Sequence, residues 1–427
     1  MAAIAVLYVM EYLSLIPIGI TTGLLVLFVV LTVADLLLLY RNRNGIEAQR
    51  FLPDRLSNGD ENLVRFTLTN RYFFKVIADV LDELPAQFQI RNFNVRTELD
   101  PAESEAQTYI LRPTSRGEYY FGRFLVYVRS QLGLVKLRYE FEEEQMVPVY
   151  PSFIQMRKFE LIAFSNKPAE SGVRKIRRLG HTMEFDQIKE YVRGDDVRAI
   201  NWKATARAGD LMVNTYQDER SQQVVNIIDT GRVMKMPFDG LHLLDYAINT
   251  SLVISNIVLL KDDKAGLMTF SNNEATFVKP QKKRTHIRQI QKHLYNISTN
   301  FLESDYERLA IELKKKISSR SLLLFYTNFE SLSSMKRRLP ALRRMAKDHL
   351  LVVIFFENTE LTSLLENDPG TVEGIYTKTV AESFMYEKRQ IVRTLNHYGI
   401  QTILTPPKEL SVNAINKYLE LKSRGLL

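Results

Sequence analysis

The sequence predicts a three-part fold: an N-terminal transmembrane helix or partial hairpin, an all-β sandwich, and a doubly wound α/β domain. Three patterns in the 427 residues carry it. Residues 1–40 are almost uncharged, residues 45–147 alternate apolar and polar side chains in short runs, and from residue 221 apolar runs alternate with helical stretches.

Glu11 and Asp35 are the sole charges of the first segment. A span needs about 20 apolar residues to cross ~30 Å of hydrocarbon, and residues 18–40 meet that. Residues 2–16 are too short and carry Glu11, so they supply at most part of a second span. The charged start and small-residue cleavage site of a secretory leader are both missing. Arg41 and Arg43 follow the span and nothing basic precedes it, so the expected orientation puts everything after residue 40 in the cytoplasm.

In residues 45–147, Val64, Phe66 and Leu68 alternate with polar positions, as do Phe124, Val126 and Val128, then Val135, Leu137, Tyr139 and Phe141. Period two marks half-buried strands. Turns are signalled at Ser57-Asn58-Gly59-Asp60, Arg116-Gly117 and Gly133. About seven short strands in about 100 residues predict a small sandwich of immunoglobulin-like type, with the aromatics near Tyr119 and Phe121 in its packing. Residues 148–180 read as a connector broken by Pro148, Pro151 and Pro168 and closed by Arg174, Lys175, Arg177 and Arg178; with the stretch up to residue 220 they form a third, linking segment.

Strands are expected at 224–228, 265–270, 322–326, 350–356 and 400–404, in a mostly parallel sheet, with 275–278 as an antiparallel edge. Between them, 239–260 is nearly apolar throughout and predicts a buried helix. Ser304-Asp305-Tyr306-Glu307 opens a helix over 305–317 in a capping-box pattern. Further helices are expected at 332–347, which carries Pro340, at 380–398, stopping at Gly399, and at 411–423.

Composition narrows the chemistry. With no cysteine, disulfides, thiolate nucleophiles and cysteine-held zinc or iron–sulfur sites are excluded. The net charge of +8 is concentrated between Lys279 and Lys347, where 17 Lys and Arg face 5 Asp and Glu. Such a segment suits anionic lipid, an acidic protein surface or a solvated set of helix faces. It lacks the ordered aromatic interleaving of a single-strand-binding surface, so no nucleic acid is expected as partner. There is no GxxxxGK[ST] loop, HExxH or GxSxG.

Unusual chemistry concentrates in residues 180–234. Glu184, Asp186, Glu190, Asp195 and Asp196 interleave with Lys189, Arg193, Arg198, Lys203 and Arg207 around Trp202, the sole tryptophan, before an apolar run ends abruptly at Asp229. A buried run closing on an acid delivers that side chain to the ligand end of an open α/β sheet. The string GHTMEFDQIKEYVRGDDVRAINWKATARAGDLMVN resembles the signature of a widespread bacterial family called a domain of unknown function, number fifty-eight. The order of parts on either side fits as well. The resemblance implies a von Willebrand factor A-like domain after the signature, a start that in other members is a two-helix hairpin, and work beside a MoxR-type AAA+ ATPase. It also implies a bacterial inner membrane as the setting.

That fold usually holds a divalent cation on an acid-x-serine-x-serine loop, a threonine and a second aspartate. Here Asp229 is present, Gly231 and Val233 stand at the serine positions, Asn328 replaces the second acid, and Thr299 or Ser298 fills the threonine position. One carboxylate without serines makes a weak cage for Mg²⁺, so no cofactor is expected. Asp229 is then free to cap its own turn or to pair with Arg232. For the signature (Glu184, Asp186, Tyr191, Gly194, Asp195, Asp196, Arg198, Asn201, Trp202, Lys203 and Arg207) the expected role is a salt-bridge network with Trp202 as apolar anchor. The competing role is metal-assisted hydrolysis by Glu184, Asp186, Asp195 and Asp196, with Arg198 or Lys203 stabilising charge; only His181 lies nearby as a base. The expected function is a membrane-anchored, non-enzymatic adaptor. The rivals are that hydrolase and a structural envelope protein with its basic segment on the inner leaflet.

Overall fold

The computed structural model describes residues 19–426 apart from 92, 142–143, 165–183, 193–194, 196, 218–220, 273–274, 300 and 360–370. The chain divides into two compact units, Met1–Tyr150 and Pro151–Leu427.

In the first unit, helix α1 (Ile20–Tyr40) is apolar enough to cross a membrane and leaves most of its side chains exposed. Two side chains of its last turns are buried, Asp35 and Leu39: Leu39 packs in the β core and its carbonyl accepts from the Tyr72 hydroxyl at 2.8 Å. Ten strands follow: β1 (Ile46–Phe51), β2 (Leu56–Ser57), β3 (Asn62–Asn70), β4 (Val76–Asp82), β5 (Val95–Leu99), β6 (Ser104–Leu111), β7 (Gly117–Phe121), β8 (Phe124–Arg129), β9 (Lys136–Phe141) and β10 (Gln145–Tyr150). They form sheets ordered β1-β3-β6, β2-β10-β7 and β5-β4-β8-β9, antiparallel except for the β2–β10 contact. The count exceeds the expected seven because short segments such as β2 carry too few residues to show a period. Along β3, Val64, Phe66 and Leu68 point inward and Leu63 and Arg65 outward, as period two requires. Tyr119 and Phe121 are buried while Tyr120 between them is exposed. A buried Arg50–Asp82 pair, 2.5 Å apart, lies in the same unit, and the Tyr109 hydroxyl also donates to Asp82.

The second unit opens with α2 (Phe153–Phe164), where the sequence reads only as a connector. Prolines misled there: Pro148 sits inside β10, and Pro151 precedes the helix start, where Ser152 accepts from the Gln155 N–H at 3.3 Å. The basic cluster Arg174, Lys175, Arg177 and Arg178 lies outside the described residues. The signature forms an antiparallel pair, β11 (Glu184–Glu190) and β12 (Met212–Gln217), with helix α3 (Trp202–Ala208) between them.

The main sheet starts with β13 (Gln223–Asp229). After a two-residue pair, β14 (Pro237–Phe238) and β15 (Leu241–His242), come α4 (Leu243–Leu260), β16 (Lys264–Phe270), β17 (Ala275–Gln281), α5 (His286–Tyr295), α6 (Tyr306–Lys316), β18 (Leu322–Tyr326), α7 (Leu332–Asp348), β19 (Leu350–Phe356), α8 (Val372–His397), β20 (Gln401–Thr405) and α9 (Leu410–Ser423). Strand order is β17-β16-β13-β18-β19-β20, parallel throughout except for the β17 edge. Val224 and Ile228 pack with α4, α5 and α9 on one face, while Val225 and Ile227 pack with α6, α7 and the C-terminal half of α8 on the other. Helices on both faces make the sheet doubly wound.

Two elements differ from expectation. The α8 helix begins at Val372, eight residues before the expected 380, because its first turns carry exposed apolar residues (Val372, Ile375, Tyr376) that follow no buried stripe. The cap of α6 is Asp305, whose side chain accepts from the Arg308 N–H at 3.0 Å, and not Ser304. That one-residue shift releases Ser304 for a contact at the head of the sheet.

Candidate functional site

Side chains alternate along β13, so a residue following Val225 and Ile227 on the same face must point toward α6; that residue is Asp229. It is fully buried at the C-terminal end of the central strand. Protein groups close in on both oxygens of its carboxylate. The Gly231 N–H reaches Oδ1 at 2.9 Å and the Ser304 hydroxyl donates to the same oxygen. Thr327, next door on the β18 register, donates to Oδ2 at 2.7 Å, and the Tyr306 hydroxyl lies 3.1 Å from it. Tyr306 and Thr327 are also 2.6 Å apart. Burial, then the Asp229 charge, pushes the Tyr306 phenol well above its ordinary pKa, so it stays a donor.

The cation set implied by the resemblance does not fit this rim. A Cβ on Gly231 would fall 2.2 Å from Ser304 Oγ and 3.0 Å from both Asp229 Oδ1 and the Leu302 carbonyl, so no serine fits at that position. Thr299 does not reach Asp229; its hydroxyl lies 3.5 Å from the Gly231 carbonyl and 3.4 Å from the Phe301 N–H. Asn328 is buried and its Oδ1 accepts from Lys388 Nζ at 2.8 Å, an ammonium that also donates to the Phe329 carbonyl at 2.7 Å. Lost hydration lowers the Lys388 pKa to about 8, against the opposing pull of Glu330. Among the described residues, no three of His, Cys, Asp or Glu converge as metal ligands. The expected Asp229 turn cap is present through Gly231, but Arg232 pairs with Glu330, at 3.3 Å, and not with Asp229.

Around this closed carboxylate the rim is exposed. Phe301 takes φ 61°, an uncommon conformation for a bulky residue, and turns its ring outward under the Lys235 ammonium, 3.2 Å from the centroid. Leu302 beside it is exposed as well.

The signature is placed only in part. Glu184 and Asp186 are backbone positions of β11, their side chains lying outside the described set, as does that of Arg198 in the short turn Val197–Ala199; Gly194 and Asp196 lie outside it altogether. Asp195 accepts from the Val192 N–H and from Lys189 Nζ, each at 3.0 Å, and these two donors, in that order, hold its carboxyl below the usual range. Tyr191 is half-buried and its N–H donates to the Leu211 carbonyl at 2.7 Å. Asn201 caps α3 by accepting from the Ala204 N–H at 3.0 Å, and its amide donates to Asn214 of β12 at 2.9 Å. Lys203 and Arg207 are exposed.

Trp202, expected as the apolar anchor of the network, is 70% exposed, and Val192, Val197 and Leu211 are exposed with it. The backbone brings these together, since Tyr191 pairs with Leu211 and Asn201 with Met212. Four residues that matter at the rim escaped the sequence reading. Ser304 reads as a helix cap, Thr327 has no acidic side chain to mark it beside Asn328, and Tyr306 and Lys388 give no local sign.

The fold and rim thus define an α/β module whose sheet head is sealed by an internally satisfied carboxylate. Residues 187–365 match the model of the family described as "Protein of unknown function DUF58". The "Uncharacterized protein YeaD" of Bacillus subtilis (strain 168) is 25% identical over 267 residues, 61% of this chain and 64% of the relative, so the match spans just under two thirds of that relative's length. Among solved structures, the conserved hypothetical protein BatB from Bacteroides thetaiotaomicron aligns at 12% identity and TM-score 0.30 over 48% of this chain and 100% of that one. The PapD-like domain 7 of human CEP192 aligns at 13% identity and TM-score 0.19, over 25% of this chain and 84% of that one. The CARDB domain of the PF1109 protein from Pyrococcus furiosus aligns at 18% identity and TM-score 0.18, over 24% and 91%. Likenesses at that level carry no weight for the fold, which rests on the strand pairings above.

Proposed function

We propose that this is a membrane-anchored adaptor without enzymatic activity of its own, in which an immunoglobulin-like sandwich spaces a von Willebrand A-like module from the cytoplasmic face of a bacterial inner membrane. Its partner is a MoxR-type AAA+ ATPase, in the maturation or remodelling of client proteins. The observation that carries the reading is the exposure of Trp202 with Val192, Val197 and Leu211 on the family signature. Solvent-facing apolar residues grouped on a polar background mark protein contact surfaces, and tryptophan is the residue most enriched where binding energy concentrates. The state of Asp229 supports it from the other side: its carboxylate is buried and accepts from the Gly231 N–H and the Ser304 and Thr327 hydroxyls, so its lone pairs are largely taken within the protein.

The test is co-purification of the tagged full chain from detergent extracts. An AAA+ ATPase recovered with the wild type and lost with Trp202→Ser or Val197→Asp is the expected result. Recovery of no ATPase, under conditions that preserve other membrane complexes, overturns the partnership.

A further inference from the structure

The hairpin between β8 and β9 meets α1 at an unusual place. Asp35 is fully buried although it sits in an otherwise apolar helix, and its carboxylate is consumed by that hairpin. Ser130 Oγ donates to Oδ1, and the N–H groups of Leu134 and Val135 donate to Oδ2 at 3.0 and 2.9 Å. The neighbouring donors are satisfied within the turn: the Leu132 N–H reaches Ser130 Oγ at 3.1 Å, and the Gly133 N–H reaches the Ser130 carbonyl at 3.1 Å. Gly133, at φ 66°, makes the reversal. The tip leaves Leu132 50% and Leu134 38% exposed, beside the exposed Gln131.

Depth follows from the helix. With the apolar stretch 18–40 laid across the bilayer, Asp35 lies five residues before Tyr40, about 7.5 Å along the axis at 1.5 Å per residue. A loop bonded to Asp35 is therefore carried below the plane at which the helix emerges. Backbone can enter that zone only if its polar groups are paired within the protein, and a carboxylate there must be paired too. Asp35 meets the second demand, and the paired 132–135 N–H groups meet the first for the donors of the tip. From these observations we infer that the β8–β9 tip is a membrane-inserted wedge, with Leu132 and Leu134 seated at the headgroup–acyl boundary of the bilayer that α1 spans. The wedge fixes the sandwich against the lipid surface. The inference rests on the reading of α1 as a membrane span.

Single tryptophans test it in the full chain, in a Trp202→Phe background, reconstituted into phosphatidylcholine vesicles with or without bromine on the acyl chains. Leu27→Trp, in the exposed middle of α1, reports whether the helix is in lipid at all. Leu63→Trp reports the far end of the sandwich, since β3 runs seven residues, about 23 Å, from there to Asn70 beside Tyr72. Expected is loss of emission in brominated lipid for Leu132→Trp and Leu134→Trp, as for Leu27→Trp, and none for Leu63→Trp. If Leu27→Trp alone is quenched, the span stands and the wedge is overturned. If none is quenched, α1 is not in lipid and both readings fall. Should the tip variants misfold, a nitroxide on Leu132→Cys, in a chain with no other cysteine, gives the same depth from its contact with oxygen against an aqueous relaxant.

Discussion

Asp229 holds its place through partners far away in sequence. Ser304, Tyr306 and Thr327 come from 75, 77 and 98 residues downstream. Removing the acceptor leaves several buried donors unpaired, so Asp229→Ala is expected to cost about 3–5 kcal/mol, measured by urea unfolding of the full chain in detergent. Calorimetric titration with Mg²⁺ or Mn²⁺ should give no binding heat at this rim; a saturable heat lost in the same variant would overturn the closed-carboxylate reading. Gly231→Ser sets a side chain against a pinned hydroxyl and should cost about 1–3 kcal/mol, with relief in Gly231→Ser combined with Ser304→Gly. Lys388 adds a pH dependence. Its folded pKa of about 8 lies below the ordinary 10.5, so between those values the unfolded chain binds more protons. Stability from this group therefore rises with pH across that interval, and the rise disappears in Lys388→Met.

At the scale of elements, the signature pair is held by small clamps. Asn201 both caps α3 and ties it to β12, so Asn201→Ala is expected to lose about 1 kcal/mol locally, raising amide exchange over 202–217 about fivefold. Equal exchange in variant and wild type would show that the cap contributes nothing. The strands were readable from sequence because burial on one or both faces imposes a period of two or a solid apolar run, as in β3 and β19. The shifted cap of α6 was not, since Ser304 and Asp305 are equally good caps and only the pull of Asp229 on Ser304 separates them. The early start of α8 was hidden for a related reason: a helix whose first turns pack on nothing shows no buried stripe.

For the whole molecule, the apolar α1 followed by Arg41 and Arg43 predicts a chain released from membranes by detergent but not by high salt. C-terminal reporter fusions should show the cytoplasmic pattern, fluorescent protein bright and alkaline phosphatase silent. The reverse pattern would invert the orientation. Two exposed apolar groups belong to different units, Leu132 and Leu134 to the first and the Trp202 group to the second. Sequence alone could not distinguish either from core, because an exposed leucine or tryptophan in a short segment has the same local pattern as a buried one.

By itself, the sequence determined the order of parts, the apolar span, most strands and helices of the α/β unit, and the arrival of Asp229 at a strand end. Each follows from residue spacing within one element. Only the tertiary structure decided that Asp229 accepts from distant hydroxyls, that Gly231 has no room for a side chain, that Asp35 bonds to a β-hairpin, and that Trp202 faces solvent. Those outcomes depend on which distant groups compete for one small volume, and spacing along the chain carries no record of that competition.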